Sequence, residues 1–178
     1  MSSEAERLKD QGMKLFEREQ YAEALACFQQ AHDLFVAAGR PLDAAEMLNN
    51  MGVIHRVEER LEEAAALLEQ ARARFHEAGD RSREAMTLSN LAPLYNRQGQ
   101  YDRAKQAYRD AAAIFAELGD KDRQGEVLMA LGLIQFDNGE RQMGMANYEA
   151  GLMLASKVSG RQKRLKTLLR MKKSLTGG

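Results

Sequence analysis

The chain has no tryptophan, one cysteine and only two prolines in 178 residues. A single thiol, Cys27, can close no internal disulfide, so cysteine usage gives no sign of an oxidising compartment. So few prolines leave long stretches free to be helical. The long alternating Val/Ile/Thr runs that strands need are also absent. No apolar run follows the polar start, and nothing approaches the ~18 uncharged apolar residues of a membrane span. The chain is therefore expected to be soluble and cytoplasmic. Acid is missing from its end as well. No Asp or Glu follows Glu149, whereas Lys157, Arg161, Lys163, Arg164, Lys166, Arg170, Lys172 and Lys173 are all basic. Residues 1–149 hold 18 basic against 26 acidic residues, a net charge of −8, and the tail carries +8.

What is present is helix-forming and repetitive. Apolar residues make up 44% and charged residues 29%, with abundant Ala, Leu, Glu, Gln and Arg. Leu48-Asn49-Asn50-Met51-Gly52 recurs at a spacing of 40 as Leu88-Ser89-Asn90-Leu91-Ala92 and Leu128-Met129-Ala130-Leu131-Gly132, preceded by Leu8-Lys9-Asp10-Gln11-Gly12. Leucine followed four places later by a small residue marks one helix face. Each copy is followed by a second set of small and large residues: Ala24, Phe28 and Ala31; Ala64, Leu68 and Ala71; Ala104, Tyr108 and Ala111; Gly144, Tyr148 and Gly151. Small residues on two antiparallel helices allow close approach, and the larger one fills the remaining gap. Between copies, Gly39, Gly79 and Gly119 suit the left-handed residue past a helix end. Asp80 and Asp120 are placed to cap the next helix, and Pro41 to open one.

Gly or Ala at the eighth place, Ala at the twentieth, an aromatic or Leu at the twenty-fourth and Ala at the twenty-seventh resemble the tetratricopeptide repeat. The resemblance covers residues 5–157, with units of 40 rather than the usual ~34 residues. This longer form resembles the repeats of kinesin light chains, Leu-Gly-Asn-type polarity adaptors and bacterial regulatory proteins. It implies an all-α solenoid of four helix-turn-helix units, 5–40, 41–80, 81–120 and 121–160, wound as a right-handed superhelix. Residues 161–175, with Leu165, Leu168 and Leu169 on one face, would form a basic capping helix.

The resemblance also implies a concave groove lined by the second, fifth, sixth, ninth, twelfth and thirteenth places of each unit. Asn50 and Asn90 share the sixth place, and each amide can donate and accept together, as a peptide backbone requires. In the kinesin-light-chain-like and adaptor-like families, asparagines at this place hold an extended peptide. Asn49, Arg56, Asn96 and Arg97 add polar groups, while Met13, Phe16, Val53, Met129 and Phe136 add apolar contact. The mixture suits a peptide with acidic and hydrophobic side chains. A chaperone-type carboxylate clamp is not matched: Lys9 and Asn50 fit its pattern, but Met13, Met86 and Asn90 do not.

Three readings of the basic tail stand open: a solvated cap, an element meeting an anionic membrane or an acidic partner, and docking on the acidic body of another copy to give a homo-oligomer. Nucleic acid is a poor fit because no aromatic residues interleave the charges. Catalysis finds no support. His32, His55 and His76 are scattered, no phosphate loop or nucleophile elbow is present, and neither cofactor nor metal is expected. His55 reads as a core or boundary residue and Cys27 as a small buried hydrophobe. Pro93 reads as a tolerated bend. Gly144 and Gly151, at places where other units carry alanine, each cost about 1 kcal/mol in helix propensity, so the fourth unit is expected to open first. The functional expectation is a non-enzymatic adaptor or scaffold for a protein or peptide partner, with two alternatives: a membrane-surface or complex-assembly factor engaged through the basic tail, or a regulatory subunit of an enzyme or transcription factor.

Overall fold

A computed structural model describes residues 3–156, 159, 160 and 162. Eight α-helices follow one another, and no strand occurs among the described residues: α1 (Glu4–Glu17), α2 (Tyr21–Ala37), α3 (Pro41–Val57), α4 (Leu61–Glu77), α5 (Arg81–Arg97), α6 (Tyr101–Glu117), α7 (Lys121–Asp137) and α8 (Arg141–Leu154). Their boundaries follow from local chemistry. Ser3 and Glu6 form a capping box on α1, Pro41 opens α3, and the Asp80 and Asp120 carboxylates accept from the Arg83 and Arg123 N–H groups. The C-terminus of α4 closes as a Schellman motif. Asp80 N–H donates to the Phe75 carbonyl (2.8 Å) and Gly79 N–H to that of His76 (3.0 Å), with Gly79 at φ +70°. The same pair of bonds recurs after α2 and α6. Helix α5 runs unbroken through Pro93.

Two compact units divide the chain, Met1–Gln98 and Gly99–Gly178. In the first, Phe28, Phe35, Met47 and Ile54 pack with Ala24, Ala31 and Ala44 into one core, and Phe75 packs with Ala45 and Ala71 beyond it. Gly12 and Gly52 face the Phe28 ring and the Leu68 side chain, so the large residue of each second helix rests on the small residue of the first. Cys27 is buried, and that burial raises its thiol pKa, as suits a packing residue.

In the second unit, α7 and α8 meet backbone to backbone. A methyl group placed on Gly132 would lie 2.5 Å from the Gly144 carbonyl oxygen, and one on Gly144 would lie 2.6 Å from that of Gly132. Gly125 and Gly151 oppose each other in the same way, with a Gly125 methyl 2.7 Å from the Gly151 carbonyl. Gly144 and Gly151 thus differ in their surroundings from the alanines at the same places in the other units. The propensity cost is real, but the seam leaves no room for a Cβ. Beside it lies a buried polar network. Gln135, fully buried, accepts from Asn147 Nδ2 (2.6 Å) and donates to Glu140 (2.9 Å), which also accepts from Lys105 Nζ (2.6 Å). Helix α8 ends with Ala155 extended, and Ser156 donates its N–H and hydroxyl to Asp122. The basic capping helix expected over 161–175 lies outside the described residues, Gln162 excepted.

Candidate functional site

Within the first unit, the first helices of three successive repeats share a face. Lys9 and Met13 from α1, Glu46, Asn49 and Asn50 from α3, and Arg83, Met86 and Thr87 from α5 surround a cavity of about 400 Å³, with Phe75 of α4 at its edge. Met13 and Asn50 also border a notch of about 60 Å³, completed by Phe16, Phe28 and Val53. The period of 40 is what brings equivalent faces of α1, α3 and α5 together.

The asparagines are not equivalent. Asn49 Oδ1 accepts from Asn90 Nδ2 (3.3 Å) and from the Thr87 hydroxyl (3.3 Å), which also contacts the Arg83 carbonyl (2.9 Å). Asn90 thus commits one of its two amide N–H groups to Asn49 and keeps the other, together with its carbonyl oxygen. The Asn49 amide N–H groups remain available. Asn50 makes only a long contact to Met13 Sδ (3.9 Å) and keeps its acceptor free. Asn49 and Asn90 are thus bonded to each other, while Asn50 stands apart from both. Thr87, buried, is a member that the sequence reading passed over. It stands where neighbouring repeats carry Met47 and Val127, and a hydroxyl at a core place is its signal in the sequence.

The cations of this face are mostly neutralised from within. Lys9 Nζ meets Glu46 at 2.5 Å, Arg83 pairs with Asp80 at 3.0 Å and approaches Glu46 at 3.6 Å, and Arg97 pairs with Glu59 at 2.9 Å. Arg56 differs. It is half-buried, and its Nε is buried without a hydrogen-bond partner. Next to it, His55 is half-buried with Nδ1 unbonded. Burial first, and the Arg60 charge second, hold its pKa below the ordinary histidine value. His55 is thus the boundary histidine expected of its place.

The remaining predicted residues divide by location. Phe16 is half-buried against the core and tilted towards Tyr21 at 5.8 Å between ring centroids, so it serves core and notch together. Val53 lines the notch, and Asn96 is half-buried near the end of α5. Met129 and Phe136 belong to the second unit. Met129 Sδ lies 3.8 Å from Gln162 Nε2, and Phe136 stands exposed beside Leu133, Met145 and Tyr148 around an apolar cleft of about 330 Å³. A larger hollow of the first unit, about 850 Å³, lies elsewhere, between α2 and α4 over the start of α3. None of the predicted residues lines it. The smaller cavity is the stronger candidate because unspent amides converge there. No cluster of three metal-ligating side chains occurs among the described residues, and no described helix is long and apolar enough to cross a membrane.

Comparison with known proteins agrees with this architecture. No curated protein matches the chain. Among solved structures, the Rap conjugation gene regulator of plasmid pLS20, in complex with the Phr* peptide, superposes with a TM-score of 0.73 at 19% identity over 85% of this chain. This chain spans 41% of that regulator's length. BtubC from P. vanneervenii matches with a TM-score of 0.65 at 19% identity, over 89% of this chain and 73% of its own. Nearly identical TPR-like repeats assigned to a kinesin light chain of Podosopora anserina match with a TM-score of 0.57 at 15% identity, over 99% of this chain and 97% of theirs. At such identities the likeness is one of fold. Residues 4–75 and 43–117 match the family model described as tetratricopeptide repeat, and the chain belongs to that family.

Proposed function

We propose that this protein is a non-catalytic adaptor that holds an extended segment of a partner protein against the shared face of α1, α3 and α5. The observation that carries the reading is the convergence of three amides with unspent capacity: the donors of Asn49, the acceptor of Asn90, and Asn50 held only by a thioether. An extended peptide presents N–H and C=O groups alternately, and side-chain amides answer both. The notch beside Met13 and Val53 is large enough for a short aliphatic side chain, which would add register. The peptide complex of the Rap regulator, a protein of the same fold, is consistent with this use.

The test is selection of random short peptides displayed on phage against the immobilised full chain. Binders are expected, and Asn49→Ala with Asn50→Ala should weaken them by about tenfold or more, since each lost amide removes about 1 kcal/mol of hydrogen bonding. The helical circular dichroism of the double variant should be retained. If selection yields no binder, or the double substitution leaves affinity unchanged, the reading is wrong.

A further inference from the structure

Resting on that reading, we infer that the bound segment carries a carboxylate that pairs with Arg56. Each of the other cations named on this face already has an internal counter-ion: Glu46 for Lys9, Asp80 for Arg83 and Glu59 for Arg97. Arg56 has none among the described residues, nor an aromatic ring to stack on, and its Nε is buried without a partner. The carboxylates nearest in sequence are already engaged. Glu59, one turn further along, meets Arg97, and Glu58 meets Arg60. A half-buried guanidinium with no counter-ion is an unfavourable arrangement that an incoming carboxylate relieves by accepting two parallel N–H···O bonds from the terminal Nη groups, Nε being closed to solvent. Position supports the assignment. Arg56 lies three residues after Val53 on α3, so it shares the face on which Val53 borders the notch and Asn50 borders both notch and cavity. The same place in the first repeat is Phe16, which lines the notch itself.

Binders selected against the full chain should then be enriched in Asp or Glu at one position. Arg56→Gln should weaken such a peptide by about tenfold or more, and Arg56→Lys by less, because lysine keeps the charge but loses the bidentate geometry. Replacing the peptide's acid by its amide should weaken binding to the unaltered chain about equally and add nothing further on Arg56→Gln. If Arg56→Gln fails to fold, Arg56→Lys supplies the same comparison, and an acid-to-amide loss that it leaves undiminished overturns the assignment to Arg56. C-terminally amidated peptides distinguish a side-chain carboxylate from a terminal one: affinity lost on amidation assigns the terminal group. The inference is overturned if no acidic position emerges and the acid-to-amide exchange changes nothing. If Asn49→Ala with Asn50→Ala still abolishes binding in that case, the groove reading survives alone. Selection that yields no binder overturns both.

Discussion

Gly144→Ala separates local propensity from tertiary packing, because the two predict opposite signs. By propensity, alanine in a helix interior is favoured over glycine by about 1 kcal/mol, partly through restriction of the unfolded chain. The first three repeats carry alanine at this place, Ala24, Ala64 and Ala104, so a sequence comparison recommends the change. Packing opposes it. The new methyl would stand 2.6 Å from the Gly132 carbonyl oxygen and 2.7 Å from the Phe136 nitrogen, both backbone atoms that cannot rotate aside. Ordinary contact begins at 3.4 Å, so α7 and α8 must separate by about 0.8 Å. A gap of that size forfeits about a quarter to a half of the dispersion energy along the seam, and overpacking of this kind costs about 1–3 kcal/mol. Net destabilisation of up to about 2 kcal/mol is expected after the propensity gain. Gly52→Ala is the comparison. There the methyl meets the Leu68 side chain at 2.7 Å, and its nearest backbone atom, the Ala64 carbonyl oxygen, is further off at 3.2 Å. Urea unfolding followed by circular dichroism, with hydrogen exchange on α7 and α8, reads the outcome. A Gly144→Ala protein with a higher midpoint and better-protected α7 and α8 amides would refute the packing argument.

Two further outcomes concern protons. The depressed pKa of His55 means that the folded state disfavours its charged form. The unfolded chain then binds the extra proton, so stability should fall as pH drops through the ordinary histidine value near 6.5 towards the lower folded one. His55→Leu, which installs the side chain found at Leu15, should flatten this slope in urea midpoints measured from pH 7.5 to 5.5; an unchanged slope would exclude His55 as its source. Glu140 shows the opposite sign. The bond from Lys105, and then that from Gln135, hold its carboxyl below the usual range. Its contribution is present above the unfolded carboxylate value and is lost as pH falls through the folded one. Glu140→Ala should lower the thermal midpoint at neutral pH by leaving the Nε2 group of the buried Gln135 without its acceptor and Lys105 with only the exposed Asp102, and should also reduce the loss of stability on acidification.

Helix boundaries and pairing were legible in the residues because their causes are local. The left-handed Gly79, the Asp80 cap and the proline opening α3 act within a turn of where they stand. The period of 40 then dictates which faces meet, so Asn49, Asn50 and Asn90 could be placed near one another before any coordinates. What each of them does there could not be read in the same way. How much hydrogen-bonding capacity Asn90 keeps depends on Asn49, 41 residues away, and whether Glu59 is free depends on Arg97, 38 residues from it. Gly144 reads as a defect or as a requirement according to how close Gly132 comes. Composition and spacing determined the repeat and its helices, and the resemblance to the family singled out the face proposed as the site. Tertiary structure alone decided which polar atoms remain unspent and which glycines are indispensable, because both depend on distances of a few tenths of an ångström between residues remote in sequence.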